Sequence, residues 1–194
     1  MTMLAAMTLP AHLLAEARSR SGKPDPMEEG RFEMFYRRNA GGLWSYLFRM
    51  TGDPATADDL LQKAFFQFIR ANPALASEEH MRRWMFRTAT NLALDHFREA
   101  KRDRGYAEKN RRSEAGPAPE PREVLRHDMM KTFAELKPRE RALLWLAHVE
   151  EADHQDIGEA LGVKSKSVKV LLFRARKRLG ELLTKKGLAP EVSR

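Results

Sequence analysis

From Glu29 onward, apolar side chains recur at helical spacing. Phe32, Tyr36, Leu43, Leu47 and Met50 share one stripe, flanked by Phe35 and Trp44, and the pattern predicts a helix that stops at Gly52. Asp53-Pro54 is a start signal: an aspartate accepts from the orphan N–H groups of a first turn, and proline's fixed φ suits the first helical position. Leu60, Leu61, Ala64, Phe65, Phe68 and Ile69 then form one wide apolar face, ended at Asn72-Pro73 because the residue before a proline is pushed out of the helical region. After a loop, Ser77 is placed to cap a third helix, with Glu78 and Glu79 at the positive end of its dipole. There Met81, Trp84, Met85, Thr88, Ala89 and Leu92 share a face, so Trp84 belongs to the core, and the helix is predicted to end near Ala100.

Residues 101–121, KRDRGYAEKNRRSEAGPAPEP, break this pattern with many charges, few apolar positions, two Gly and three Pro, the composition of a linker. Helical periodicity returns with Val124, Leu125, Met129, Phe133 and Leu136. Pro138 opens the next helix, which carries Ala142, Leu143, Leu146 and Val149. Asp153 caps a short helix to Leu161, Gly162 sits where a left-handed C-terminal glycine belongs, and a last helix spans about 165–185. There is no strand-like alternation and no repeat. The reading is all-α, with two small helical domains at 29–100 and 122–187 joined by a flexible linker at 101–121. A Pro-rich N-terminal extension (1–28), with room for a short helix over Ala11–Arg18, and a tail (188–194) flank them.

Charge narrows the partner. Among 194 residues, 35 Lys and Arg against 27 Asp and Glu leave +8, an excess that favours a polyanionic partner, nucleic acid or an anionic membrane surface. The absence of cysteine excludes a disulfide framework, a thiolate metal site and a thiol nucleophile. No apolar run reaches the ~18 residues that a membrane span needs, and the mildly apolar start lacks the basic leader of a signal peptide, so a cytoplasmic protein without membrane insertion is expected. No glycine-rich phosphate loop and no His/carboxylate metal spacing occur. His148 and His154 flank a turn as a surface pair, and Asp95 and His96, being adjacent, point apart on a helix. Neither an enzyme nor a cofactor nor a metal is expected.

The segment HQDIGEALGVKSKSVKVLLFRARKRL has a helix-turn-helix layout. Ile157 and Leu161 on the short helix face Val168 and Leu172 on the long one, while Ser165, Lys166, Lys169, Arg174, Lys177 and Arg178 are left outward. Residues 164–186 hold nine Lys or Arg and a single acid, Glu181. A helix of this kind can enter a major groove while its cations hold phosphates.

LKPRERALLWLAHVEEADHQDIGEALGVKSKSVKVLLFRARKRLGELL, with its Arg-Glu-Arg start, acid-rich turn and R-A-R-x-x-L close, resembles region 4 of extracytoplasmic-function sigma factors of the sigma-70 family. TGDPATADDLLQKAFFQFIR and RRWMFRTATNLALDHFREAKR resemble their region 2. The resemblance covers about 31–103 and 122–185, and finding both blocks in order is far more specific than either alone.

This resemblance implies an RNA polymerase sigma factor that directs core enzyme to −10 and −35 promoter elements. Asp58, Asp59, Leu60 and Gln62 would dock on the clamp helices of the largest polymerase subunit, and the second domain on the flap of the second largest. Asp58 and Asp59 would also favour the positive end of their own helix. Residues 71–80 match the loop that captures a flipped base of the non-template strand, where a pocket and phosphate contacts must offset unstacking. Arg82, Arg83 and Arg87 would hold phosphates beside it, and Asn91 would meet a base edge or cap backbone. Ser165, Lys166, Lys169, Val170 and Arg174 would face the −35 groove, and Arg176 and Lys177 the phosphates. An anti-sigma factor covering both domains is expected, with the linker permitting an occluded and an extended state.

Several positions depart from the family pattern. Lys164 stands where a capping Ser or Thr is usual, Lys63 replaces an acid, and Gly158 replaces a helical Ala at an expected cost of about 1 kcal/mol. Val170-Leu171 replaces a polar pair on the reading helix, where apolar groups would meet thymine methyls or a partner protein. Two other readings therefore stay open: a sigma-like mimic that sequesters an anti-sigma factor, and a self-standing helix-turn-helix regulator.

Overall fold

The computed structural model describes residues 29–71, 77–103 and 121–189. The readings for 1–28, for residues 72–76 of the 71–80 loop, for most of the linker and for the end of the tail fall outside these. Seven helices are described and no strand: α1 (Glu29–Thr51), α2 (Pro54–Ala71), α3 (Glu78–Asp103), α4 (Pro121–Ala134), α5 (Pro138–His148), α6 (His154–Leu161) and α7 (Ser165–Lys185).

Most boundaries have visible chemical causes. Gly52 adopts φ +74° and its N–H bonds to Phe48 O at 2.8 Å, ending α1. Asp53 accepts from the Thr56 N–H at 3.0 Å at the head of α2. Ser77 Oγ accepts from the His80 N–H at 3.2 Å at the head of α3, and Asp153 Oδ1 accepts from the N–H groups of Gln155 and Asp156, each at 2.8 Å, at the head of α6. The Lys137 N–H donates to Glu140 Oε2 at 2.9 Å before α5. α3 runs to Asp103, beyond the predicted Ala100.

Helices α1, α2 and α3 close around an aromatic core. Phe68 stacks on Phe35 at 5.4 Å and meets Trp84 edge-on at 5.4 Å, while Phe65 lies 4.7 Å from Tyr36. Trp84 is half-buried against this core, as its spacing implied. Leu60 belongs there too. At 4% exposure it seats α2 on the bundle, beneath the outward Asp58, Asp59 and Gln62. In the second block α6 and α7 pack through Ile157, Leu161, Val168 and Leu172, all buried, with Leu143 and Leu146 of α5 also in the core.

Gly158 also needs a corrected account. A Cβ there would lie 2.8 Å from Val163 O and 3.3 Å from Ser165 Cα, so the glycine admits the close turn that sets α6 against α7. Helix propensity alone predicts that Gly158→Ala stabilises by about 1 kcal/mol. The steric conflict with backbone predicts the reverse, a loss of about 1–3 kcal/mol. Thermal unfolding of the variant decides the sign.

The two blocks pack together. α3 lies against α6 and α5, and α1 against α4 and α5. Phe86, Thr90, Ala93 and Leu94 are consequently buried on a second side of α3 that the predicted apolar stripe did not include. Tyr46, fully buried, links the layers: its hydroxyl bonds to Thr90 Oγ1 at 2.7 Å, Thr90 donates on to Phe86 O at 2.6 Å, and the Tyr46 ring lies 6.0 Å from Trp145 of α5. Burial pushes the Tyr46 hydroxyl well above its ordinary pKa.

Candidate nucleic-acid interface

Three exposed surfaces emerge from the expected site residues. On α2, Asp58, Asp59 and Gln62 point to solvent beside Lys63. Asp58 is fixed from α1, where Trp44 Nε1 donates to its Oδ1 at 2.6 Å. With Leu60 turned inward, the strip is two acids and an amide on a rigid helix, suited to a basic helical partner.

On α3, Arg83, Arg87 and Asn91 fall at i, i+4 and i+8 and form one exposed stripe, with Arg82 beside its N-terminal end. The arginines are engaged with the second block. Arg82 Nη2 pairs with Glu150 Oε2 at 2.5 Å, Arg83 Nε with Asp156 Oδ2 at 3.1 Å, and Arg87 Nη1 with Glu159 Oε2 at 3.3 Å. Arg83 also bonds Glu79 within α3. Burial, and then the neighbouring Asp153 charge, push the Asp156 carboxyl up, while Arg83 pulls it down.

On α7, Ser165, Lys166, Lys169, Val170, Arg174, Arg176 and Lys177 are all exposed. At about 100° per residue, the buried Val168, Leu172 and Ala175 define the inner face, and Lys166, Val170, Phe173 and Lys177 run down the middle of the outer one. Arg176 sits at the margin, its Nε donating to Leu172 O at 3.4 Å. Val170 is 51% exposed and Phe173 67%, so an apolar pair lies between cations on the reading face. Phe173 was not among the expected contacts, although its register with Lys166, Val170 and Lys177 carries the signal. Leu171 is half-buried against the core. Its departure from the family's polar residue is a packing change, and only Val170 alters the outward chemistry.

One buried charge had no place in the sequence reading. Arg141 of α5 is 5% exposed, its guanidinium 5.0 Å from the Phe97 ring of α3 and its Nε without a hydrogen-bond partner. Burial lowers its pKa to about 10. Among the described residues no group of three acids or histidines is placed to hold a metal ion, and no helix is long and apolar enough to cross a membrane.

Two helical blocks, one ending in a helix-turn-helix with a basic outer helix, have the layout of a nucleic-acid-binding protein. Comparison with known proteins makes this specific. The sigma-70 region 2 family matches residues 35–103 and the sigma-70 region 4 family matches 126–179, together more than half of the chain. The chain is 28% identical over 154 residues to the RNA polymerase sigma factor CarQ of Myxococcus xanthus, covering 78% of this chain and 88% of that one. It is 30% identical over 157 residues to the ECF RNA polymerase sigma factor SigE of Mycolicibacterium smegmatis, covering 77% of this chain and 60% of that one. The fold is similar to that of the sigma factor RpoE, solved in complex with the anti-sigma factor NepR from Bartonella quintana, with a TM-score of 0.60, 19% identity and coverage of 84% and 98%. It is also similar to that of CnrH in complex with the cytosolic domain of CnrY, with a TM-score of 0.58, 21% identity and coverage of 92% and 99%. This chain belongs to the extracytoplasmic-function branch of the sigma-70 family, the RNA polymerase sigma factors.

Proposed function

We propose that the chain binds RNA polymerase core in the cytoplasm and places it at promoters, acting through binding alone with no catalytic chemistry of its own. The α2 strip of Asp58, Asp59 and Gln62, with Leu60 beneath it, meets the clamp helices of the largest subunit, and the second block meets the flap of the second largest. Arg82, Arg83, Arg87 and Asn91 of α3 hold the non-template strand of the −10 element once it is single-stranded. Ser165, Lys166, Lys169, Val170 and Arg174 read the −35 groove, with Arg176 and Lys177 on phosphates. The observation that carries this is the outer face of α7, where cations that hold phosphates surround two apolar groups suited to thymine methyls. An anti-sigma factor is the expected regulator, supported by one similar fold having been solved with the anti-sigma factor NepR and another with the cytosolic domain of CnrY.

The test begins with core binding. Substituting Asp58→Lys and Asp59→Lys together places cations against a basic partner and is expected to weaken binding to polymerase core by about tenfold or more, in the range measured for close interfacial charge pairs. Both residues are exposed, so the fold should survive. Unchanged core affinity in a folded variant would remove α2 from the polymerase interface.

A further inference from the structure

Asp58 presents its charge to solvent with no cation beside it. Among the described residues no ion pair involves Asp58 or Asp59. What holds Asp58 is neutral: Trp44 Nε1 of α1 donates to its Oδ1 at 2.6 Å, from a residue 14 positions away. An indole N–H is a donor only and carries no charge. It fixes the carboxylate and leaves the full negative charge and the second oxygen for a partner. A lysine or arginine in its place would fix the carboxylate and neutralise it.

Trp44 belongs to a wider arrangement. Tyr36, Ala40, Trp44 and Phe48 fall at i, i+4, i+8 and i+12, one stripe of α1. The stripe lies along α2: Tyr36 meets Phe65 at 4.7 Å and Trp44 reaches Asp58, so the two helices run antiparallel there. Tyr36, Trp44 and Phe48 are only half-buried, which leaves aromatic surface next to the acids. Phe48 stacks on Trp44 at 5.2 Å with the rings 11° apart, and it is the indole's only ring neighbour among the described residues. One turn back along the stripe stands Ala40, a methyl group. Burial, and then the Asp58 charge, raise the pKa of the Tyr36 hydroxyl, so the field of this acid extends along the stripe.

We propose that Trp44 and Asp58 form one receptor for an arginine of the polymerase clamp helices, the carboxylate bonding the guanidinium and the indole taking its flat face. Trp44 then both positions Asp58 and touches the partner, and the docking surface spans α1 as well as α2. This rests on the assignment of the α2 strip to polymerase core. Arginine fits because its planar guanidinium can lie on an aromatic ring while its N–H edge meets a carboxylate. A lysine ammonium is a hydrated point charge and cannot do both. Asp59 and Gln62 are left for neighbouring groups of the same partner.

The test is the affinity of the full chain for purified RNA polymerase core, measured below the melting temperature of every variant. Asp58→Asn removes the charge and should weaken binding about tenfold. Trp44→Phe keeps a ring on Phe48 and removes only the donor. It should weaken binding about threefold, the cost of ordering one freed side chain on association. Trp44→Leu removes donor and ring together and should weaken binding about tenfold. Trp44→Leu combined with Asp58→Asn should stay well short of the roughly hundredfold loss that independent sites would give. On the other side, each arginine of the clamp helices is changed singly to lysine. One such change should weaken the parent chain about tenfold and leave the Trp44→Leu chain little affected.

Parent-like affinity of both Trp44 variants, with Asp58→Asn still weakened, would overturn the receptor and leave the α2 assignment standing. Losses that multiply in full in the double variant would overturn it too, as would a core that tolerates every arginine-to-lysine change. Parent-like affinity of Asp58→Asn as well would remove the α2 assignment along with the receptor.

Discussion

Replacing Lys169 and Arg174 together by alanine is expected to cut transcription from a −35-dependent promoter about a hundredfold, with little change in core binding. Both side chains are exposed on α7 with no carboxylate paired to them among the ion pairs of the described residues. Their loss therefore removes DNA contacts and leaves the core of the block untouched. Each good contact to a base edge contributes about 1–3 kcal/mol, and each 1.4 kcal/mol is tenfold, so two such contacts reach about a hundredfold. Exposed substitutions of this kind alter stability by no more than about 0.5 kcal/mol. Run-off transcription with thermal unfolding as a control separates the two effects. Alanine at Val170 or Phe173 should act differently: the total falls less, and the preferred −35 base shifts as an apolar contact is lost.

Phe68→Ala is expected to cost about 3–5 kcal/mol, the range for emptying a buried phenylalanine site. Phe68 is 1% exposed and lies against Phe32 and Phe35 of α1 and Trp84 of α3 at the centre of the first block. Marginal domains are stable by only about 5–15 kcal/mol in total, so the variant should lose much of its cooperative melting transition and all measurable core binding. Circular dichroism during heating checks the first, and a pull-down on core the second. A melting temperature near that of the parent chain would mean that the aromatic cluster is not what holds α1, α2 and α3 together.

The helices and their ends were legible because their causes are local. Asp53-Pro54, Ser77, Asp153 and Gly162 each act on backbone groups within one turn, and the structure shows those bonds where the residues implied them. The family was legible for another reason: two distinct blocks had to occur in order. What escaped the sequence depends on contacts distant along the chain. An apolar stripe on α3 predicts one buried face, yet Phe86, Thr90, Ala93 and Leu94 are buried on another because the second block packs there. Thr90 and Arg141 are polar, so no hydrophobic pattern marks them, and only the docked partner explains their burial. Gly158 was judged by propensity, which ignores the carbonyl of Val163 that a Cβ would strike. The ion pairs of Asp156 with Arg83 and of Glu159 with Arg87 likewise join residues far apart in the chain, which no local pattern marks.

The most direct test of the account is transcription in vitro. The purified chain is mixed with RNA polymerase core and genomic DNA fragments, and the 5′ ends of the transcripts are mapped. A set of starts that appear only with the chain present, each preceded by the same paired upstream elements, is the predicted result. Core that gains no new starts while the chain is bound to it would contradict a promoter-directing role and favour a mimic that only occupies sigma's partners. Failure to bind core at all would contradict the account at its root.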